Sequence, residues 1–73
     1  MKEVFEGWIA RDKDGALFVH QRQPKRYNDN IDQLHYWVNG GERFSIRKMD
    51  KMFSDLKWED EPRKVTITIE TIE

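Results

Sequence analysis

The stretch Asp12-Lys13-Asp14-Gly15, set between two runs rich in aromatic and β-branched residues, constrains this chain more than any other. Val4 to Arg11 and Ala16 to Gln21 read as strands on either side of it. Asp12 is placed to cap neighbouring amides, and Lys13 and Asp14 suit a type I turn. Gly15 takes the left-handed backbone that leads back into a strand. The expectation is an antiparallel hairpin. Gly7 inside the first strand marks a bulge or a close backbone approach.

A chain of 73 residues has room for one domain, here 1–73. A domain of that size buries only about 60% of the surface its unfolded chain exposes. There is no cysteine, so neither a disulfide nor Cys-based zinc or thiol chemistry is open to it. Four Phe, three Trp and two Tyr offset the small size, since each ring system can bury about 150–250 Å2. Thirteen basic side chains face 14 acidic ones, which argues against a strongly basic nucleic-acid binder while leaving room for a local patch. Charges interrupt the apolar residues of Met1 to Glu6, unlike a signal or targeting peptide. No run approaches the roughly 20 apolar residues that cross a bilayer. The expected setting is the cytoplasm.

Arg22 to Gln33 reads as a long loop, broken by Pro24 and by the turn chemistry of Asn28-Asp29-Asn30. Leu34 to Val38 reads as a strand, and Asn39-Gly40 as the turn of a second hairpin whose return strand carries Phe44 and Ile46. Met49, Met52, Phe53 and Leu56 recur at i, i+3, i+4 and i+7, one face of a helix of about two turns. Ser45 is its candidate cap, although Lys48 stands where a capping box wants an acid. Trp58 and the acidic loop Glu59-Asp60-Glu61-Pro62 follow. Lys64 to Ile72 then alternates strictly, a strand with one buried and one solvated face. The fold class is α+β: a mainly antiparallel sheet of four to five strands with one short helix. Phe5, Trp8, Ile9, Leu17, Val19, Trp37, Phe44, Ile46, Trp58, Val65, Ile67 and Ile69 are the expected core, beside the helix face.

The stretch from Gly7 to Phe18, Gly-Trp-Ile-Ala-Arg-Asp-Lys-Asp-Gly-Ala-Leu-Phe, resembles small uncharacterised proteins of Bacteroides-type gut bacteria and their phages and mobile elements. In that group a GW-ARDKDG-LF opening recurs with a middle aromatic segment and a phenylalanine-containing turn before WEDEP, here Trp58 to Pro62. The resemblance covers both ends of the chain and not Arg22 to Tyr27 or Asn39 to Gly41. It implies that the hairpin and the closing strand belong to one recurring domain, and it implies no activity.

No catalytic pattern stands out. His20 and His35 end and begin strands and lack the further ligands, at a recognisable spacing, that zinc requires. Both read as partly exposed strand-end residues. Ser45 and Ser54 sit in no nucleophile elbow. Asn28, Asn30 and Asp32 are spaced like the first ligands of a calcium loop, but Gln33 replaces the turn glycine and Asn39 the bidentate glutamate. Asp12 and Asp14 read as turn formers. No enzyme, metal or cofactor is expected.

Two binding readings remain. Arg22, Lys25, Arg26 and Tyr27 form a basic, aromatic loop, and Tyr36 precedes Arg43 and Arg47. Aromatics beside basic residues hold single strands of nucleic acid by stacking and phosphate contacts. Tyr36 and the adjacent Trp37 point to opposite faces of a strand, so only one can stack on a given face. The leading reading is instead an accessory domain acting through protein contacts, with a homodimer as one form. A sheet has edges, and an unprotected edge recruits another strand. The closing strand is free of Pro and Gly and presents Lys64, Thr66, Thr68 and Glu70 on its polar side. It serves as a pairing edge if it lies at the border of the sheet. The acidic stretch Asp55 to Glu61 could also face the basic loop of a second molecule.

Overall fold

The computed structural model describes residues 1–29, 31 and 34–72. Its strands are β1 (Lys2–Arg11), β2 (Leu17–His20), β3 (Lys25–Asp29), β4 (Leu34–Val38), β5 (Arg43–Ser45) and β6 (Arg63–Glu70). A 3₁₀-helix, Arg47–Phe53, lies between β5 and β6. An antiparallel sheet in the order β5-β2-β1-β6 is accompanied by the antiparallel pair β3-β4. The α+β expectation holds. No helix among the described residues is long and apolar enough to cross a membrane.

The first hairpin forms as its residues dictate. The Asp12 and Gly15 amides bond to the Ala16 and Asp12 carbonyls at 2.8 and 2.9 Å, and Gly15 takes φ 97°. The Asp14 carboxylate, rather than that of Asp12, accepts the local amide, from Ala16 at 2.9 Å. Gly7 sits in an unbroken ladder, so it serves close approach: a Cβ there would lie 2.6 Å from Ile67 Cδ1.

Three expectations fail, the first two because tertiary pairing overrides a local signal. The stretch 22–33 is not simply a loop, since Lys25–Asp29 is a strand paired with β4. Leu34–Val38 and the strand at Phe44 do not form a hairpin with each other: β4 joins β3, and β5 joins β2. The Asn39-Gly40 turn exists, with Asn39 at φ 64°, but it hands the chain from one sheet to the other. The helix is 3₁₀ and has no side-chain cap; Ile46, not Ser45, is its N-cap. With three residues per turn, Asp50 and Phe53 share the ridge that meets the sheet, and Met49 and Met52 fall on a more exposed one.

The main apolar cluster lies on one face of the four-stranded sheet. Ile9, Leu17, Phe53 and Leu56 are buried together, with Val19, Ile46 and Val65 packed around them. Arg11 fastens this layer. Its guanidinium donates to the Leu56 carbonyl at 2.6 Å, to Phe53 and Gly15 carbonyls at 2.9 Å, and to the Asp50 carboxylate. On the other side, the Arg11 carbonyl accepts the Trp37 indole N–H at 2.9 Å, and the Asp12 carboxylate accepts the Trp37 amide at 3.4 Å. Trp37 is thereby buried, edge-on to Trp58 at 5.6 Å between centroids.

Arg11→Ala should therefore lower unfolding free energy by about 2–4 kcal/mol, because several carbonyls lose a charged donor at once. A fall in the urea midpoint measures this. Arg11→Lys should recover little of it, since an ammonium cannot reproduce the guanidinium fork.

Candidate functional site

The helix covers only part of the sheet. Seven 3₁₀ residues span about 14 Å, whereas the ten residues of β1 span about 34 Å. β2 pairs only with Trp8–Arg11 of β1, while β6 runs beside β1 from Lys2 to Ile9. The Lys2–Gly7 half of β1 is thus one strand of a two-stranded ribbon projecting from the core. The molecule is accordingly elongated, 50 × 24 × 17 Å.

Register assigns the side chains of this ribbon to its faces. Phe5 stands opposite Ile67, Glu3 opposite Ile69 and Gly7 opposite Val65, and Phe44 of β5 lies opposite Val19. All of these share the face that carries Ile9 and Leu17. Beyond the helix that face is bare: Phe5 is 43% exposed, Ile69 59% and Phe44 61%, and Met52 on the helix rim is 74% exposed. The expected burial of Phe5, Phe44 and Ile69, and of Met49 and Met52, is corrected accordingly. Trp8, Trp58 and Ile67 are half-buried. A groove of about 510 Å3 opens here, lined by Phe5, Val19, Phe44 and Ile67 with Glu3 and Glu42 among its acids. A smaller one of about 280 Å3 continues beneath Met49 and Met52.

β6 forms the border of the sheet, and among the described residues no strand pairs with its outer side. Lys64, Thr66, Thr68 and Glu70 are exposed on the face opposite the helix. Lys64 lies 3.0 Å from the Glu6 carboxylate and 5.7 Å from the centre of the Trp8 ring. Arg63 is held by Asp55 at 3.0 Å, and the hydrogen bond from Arg63 draws the Asp55 carboxyl below its usual range.

The basic and aromatic residues do not converge. The Arg26 guanidinium stacks 4.7 Å over Trp37 and 5.2 Å over Trp58, and donates to the Trp58 and Asp60 carbonyls. The basic segment therefore meets the acidic loop within the same chain, through backbone oxygens. Arg43 lies over Phe18 at 4.2 Å and 3.6 Å from Asp12. Arg22 and Arg47 are exposed, at the end of the first hairpin and the start of the helix. Tyr27 and Tyr36 form a cross-strand pair with centroids 5.2 Å apart, on the same face of the β3-β4 pair as Lys25.

His20 is not partly exposed, as a strand end suggests, but 2% accessible. Gly40 packs on it so closely that a Cβ there would lie 2.8 Å from its Nδ1. Burial, and secondarily the Arg43 charge, lower its pKa. Burial raises that of Asp12, against the Trp37 amide and Arg43. His35 stands in the other sheet, edge-on to Trp58. No group of acids and histidines able to hold a metal occurs among the described residues. Of the calcium-like spacing, Asn30, Asp32 and Gln33 lie outside the described residues. Sequence reasoning missed the bare apolar face; the signal available was the brevity of the helix beside long strands with Glu3 and Glu6 near their start.

Comparison of the chain with protein-family models, curated proteins and solved structures returned no match.

The neutral His20 gives stability a signed pH dependence. Below its ordinary value of about 6.5, the unfolded chain takes up a proton that folded His20 resists, so this contribution to stability declines as pH falls. In His20→Gln the slope due to this residue disappears. Chemical denaturation at about pH 7.5 and about pH 5.5 should show the wild-type advantage over the variant shrinking at the lower pH.

Proposed function

We propose that this chain is a non-enzymatic interaction domain of the cytoplasm that acts through protein contacts, chiefly by self-association along its β6 border. One observation carries the reading: the apolar strip of exposed Phe5 and Ile69 with half-buried Ile67 between them runs directly to a strand edge that lacks Pro, Gly and a bulge. Apolar patches of this kind mark contact surfaces, and an unpaired edge supplies a row of backbone donors and acceptors for a partner strand. A partner strand there satisfies both together. The test is the molar mass by light scattering across a concentration series, with dimer expected to build up as concentration rises. Ile67→Lys should raise the dimer Kd by about 100-fold or more, since each of two buried isoleucines contributes about 2 kcal/mol. Ile67 is half-buried over Gly7, so far-UV circular dichroism is needed to check that the variant is folded before its dimer Kd is read. A wild-type chain that stays monomeric throughout defeats the reading.

A second reading, single-stranded nucleic-acid binding, draws on the Tyr27–Tyr36 pair and Lys25 on one face of β3-β4. It ranks lower because Arg26 serves the opposite face and Arg43 is engaged by Phe18 and Asp12. Fluorescence titration with oligonucleotides should then show affinity falling steeply with salt, and Tyr36→Ala should lose about 1–3 kcal/mol of binding. Absence of any response at low salt removes this reading.

A further inference from the structure

We infer that the occupant of the β6 edge is a second copy of this chain, paired antiparallel in the one register that sets Ile67 opposite Ile67 of the copy. The inference rests on the self-association reading and adds the partner's alignment to it.

Side-chain parity narrows the choices. Directly opposed residues of paired strands point to the same face, so a slip by one residue would set the apolar face of one copy beside the polar face of the other. Only registers centred on a residue keep both faces continuous. Centred on Thr66, the apolar side would carry Arg63 opposite Ile69. Centred on Thr68, Lys64 would face Ile72 and Glu70 would face Thr66. Centred on Ile67, Lys64 faces Glu70, Val65 faces Ile69 and Thr66 faces Thr68, each twice by symmetry.

The ladder within each copy extends this match across the seam. Lys2 stands opposite Glu70, and Trp8 opposite Lys64. The outer polar row therefore reads Lys2, Glu70, then Lys64 and Trp8 of the second copy, with charges alternating in sign. Lys64, already 3.0 Å from Glu6, comes to lie between two carboxylates, and like charges are nowhere directly opposed in these rows. On the apolar face the central row reads Phe5, Ile67, then Ile67 and Phe5 of the second copy, since Phe5 is opposite Ile67. Each flanking row pairs Ile69 with Val65 of the other copy. The projecting β1-β6 ribbon is a two-stranded element of a kind that is marginal alone. This seam makes it one half of a four-stranded ribbon with one apolar and one polar face.

The chain has no cysteine, so introduced thiols report the alignment without interference. Thr66→Cys and Thr68→Cys proteins, mixed and mildly oxidised, should give the mixed disulfide in preference to either homodisulfide. In this register Thr66 stands diagonal to its own copy, about 7–8 Å away, beyond comfortable disulfide reach. Adjacent rungs alternate between close and wide spacing, so Ile67→Cys, which meets itself at the centre, covers the case in which the 66–68 rung is the wide one. Charge reversal is an independent arm. Lys64→Glu and Glu70→Lys should each weaken self-association by about tenfold, and mixing the two should restore most of it. Across the seam every reversed charge then meets its opposite, while the contacts to Glu6 and Lys2 within each copy are the same in the mixture as in the single variants. Far-UV circular dichroism confirms that each variant is folded. Preferential Thr66→Cys or Thr68→Cys homodisulfides overturn the register while leaving self-association standing, as does a dimer indifferent to both reversals. A wild-type monomer overturns the two together.

Discussion

The structure turns on the dipeptide Arg11-Asp12, where β1 ends. The guanidinium of Arg11 reaches into the helix side and satisfies the carbonyls of Phe53 and Leu56, just where the short helix runs out. The Phe53 carbonyl also accepts the Leu56 amide at 2.9 Å, so Arg11 braces the turn that closes the helix. On the opposite side, the Arg11 carbonyl and the Asp12 carboxylate hold Trp37. One turn therefore secures both layers packed on the sheet, and a domain with so few buried residues has little else to do it. Arg43 beside Asp12 offsets part of the burial that raises the Asp12 carboxyl.

Because everything is fastened at that end, the other end of the sheet is left uncovered. The helix is positioned by Arg11 and Asp50, and its seven residues stop short of Phe5 and Ile69. β2 and β5 stop early as well, so the groove at Phe5 and Phe44 is the step where a wide sheet narrows to a ribbon. The uncovered strip and the open edge are thus two results of one asymmetry. They share residues, since Ile67 and Ile69 belong to both. That overlap is why a strand added at the edge would also cover apolar surface.

The sequence made the hairpin at Asp12–Gly15 and the alternation of β6 legible, because both are local: a left-handed glycine in one case, period-two polarity in the other. β6 lies at the border of the sheet, and Lys64, Thr66, Thr68 and Glu70 share its polar side. β3 was hidden because Pro24 precedes so short a strand, and Asn28-Asp29 end it, that their turn chemistry outweighs its Tyr27. The Asn39-Gly40 signal identified a real reversal of direction but not its destination, as strand choice is settled by His20 packing on Gly40 and by Trp37 reaching Arg11. Met49 and Met52 followed a 3.6-residue period, whereas the helix has three residues per turn, which turns them outward. Aromatic content pointed to the core, yet Phe5 and Phe44 outrun the cover available. What stayed illegible was coverage, a property of element lengths rather than of residue types.

The β1-β6 ladder also bears on how this chain acquires its shape. Thr71 bonds to the carbonyl of Met1 across a separation of 70 residues, so the longest pairing in the sheet is the least local one. Loop closure on that scale loses entropy before any contact offsets it, and topologies dominated by such pairings fold slowly. The first hairpin can form early from neighbours alone. The ribbon cannot, and until β6 arrives β1 carries two vacant flanks over Lys2 to Gly7. During that interval the same stickiness that suits a contact surface exposes the nascent chain to premature pairing, and the charges of Lys2, Glu3 and Glu6 are its chief protection.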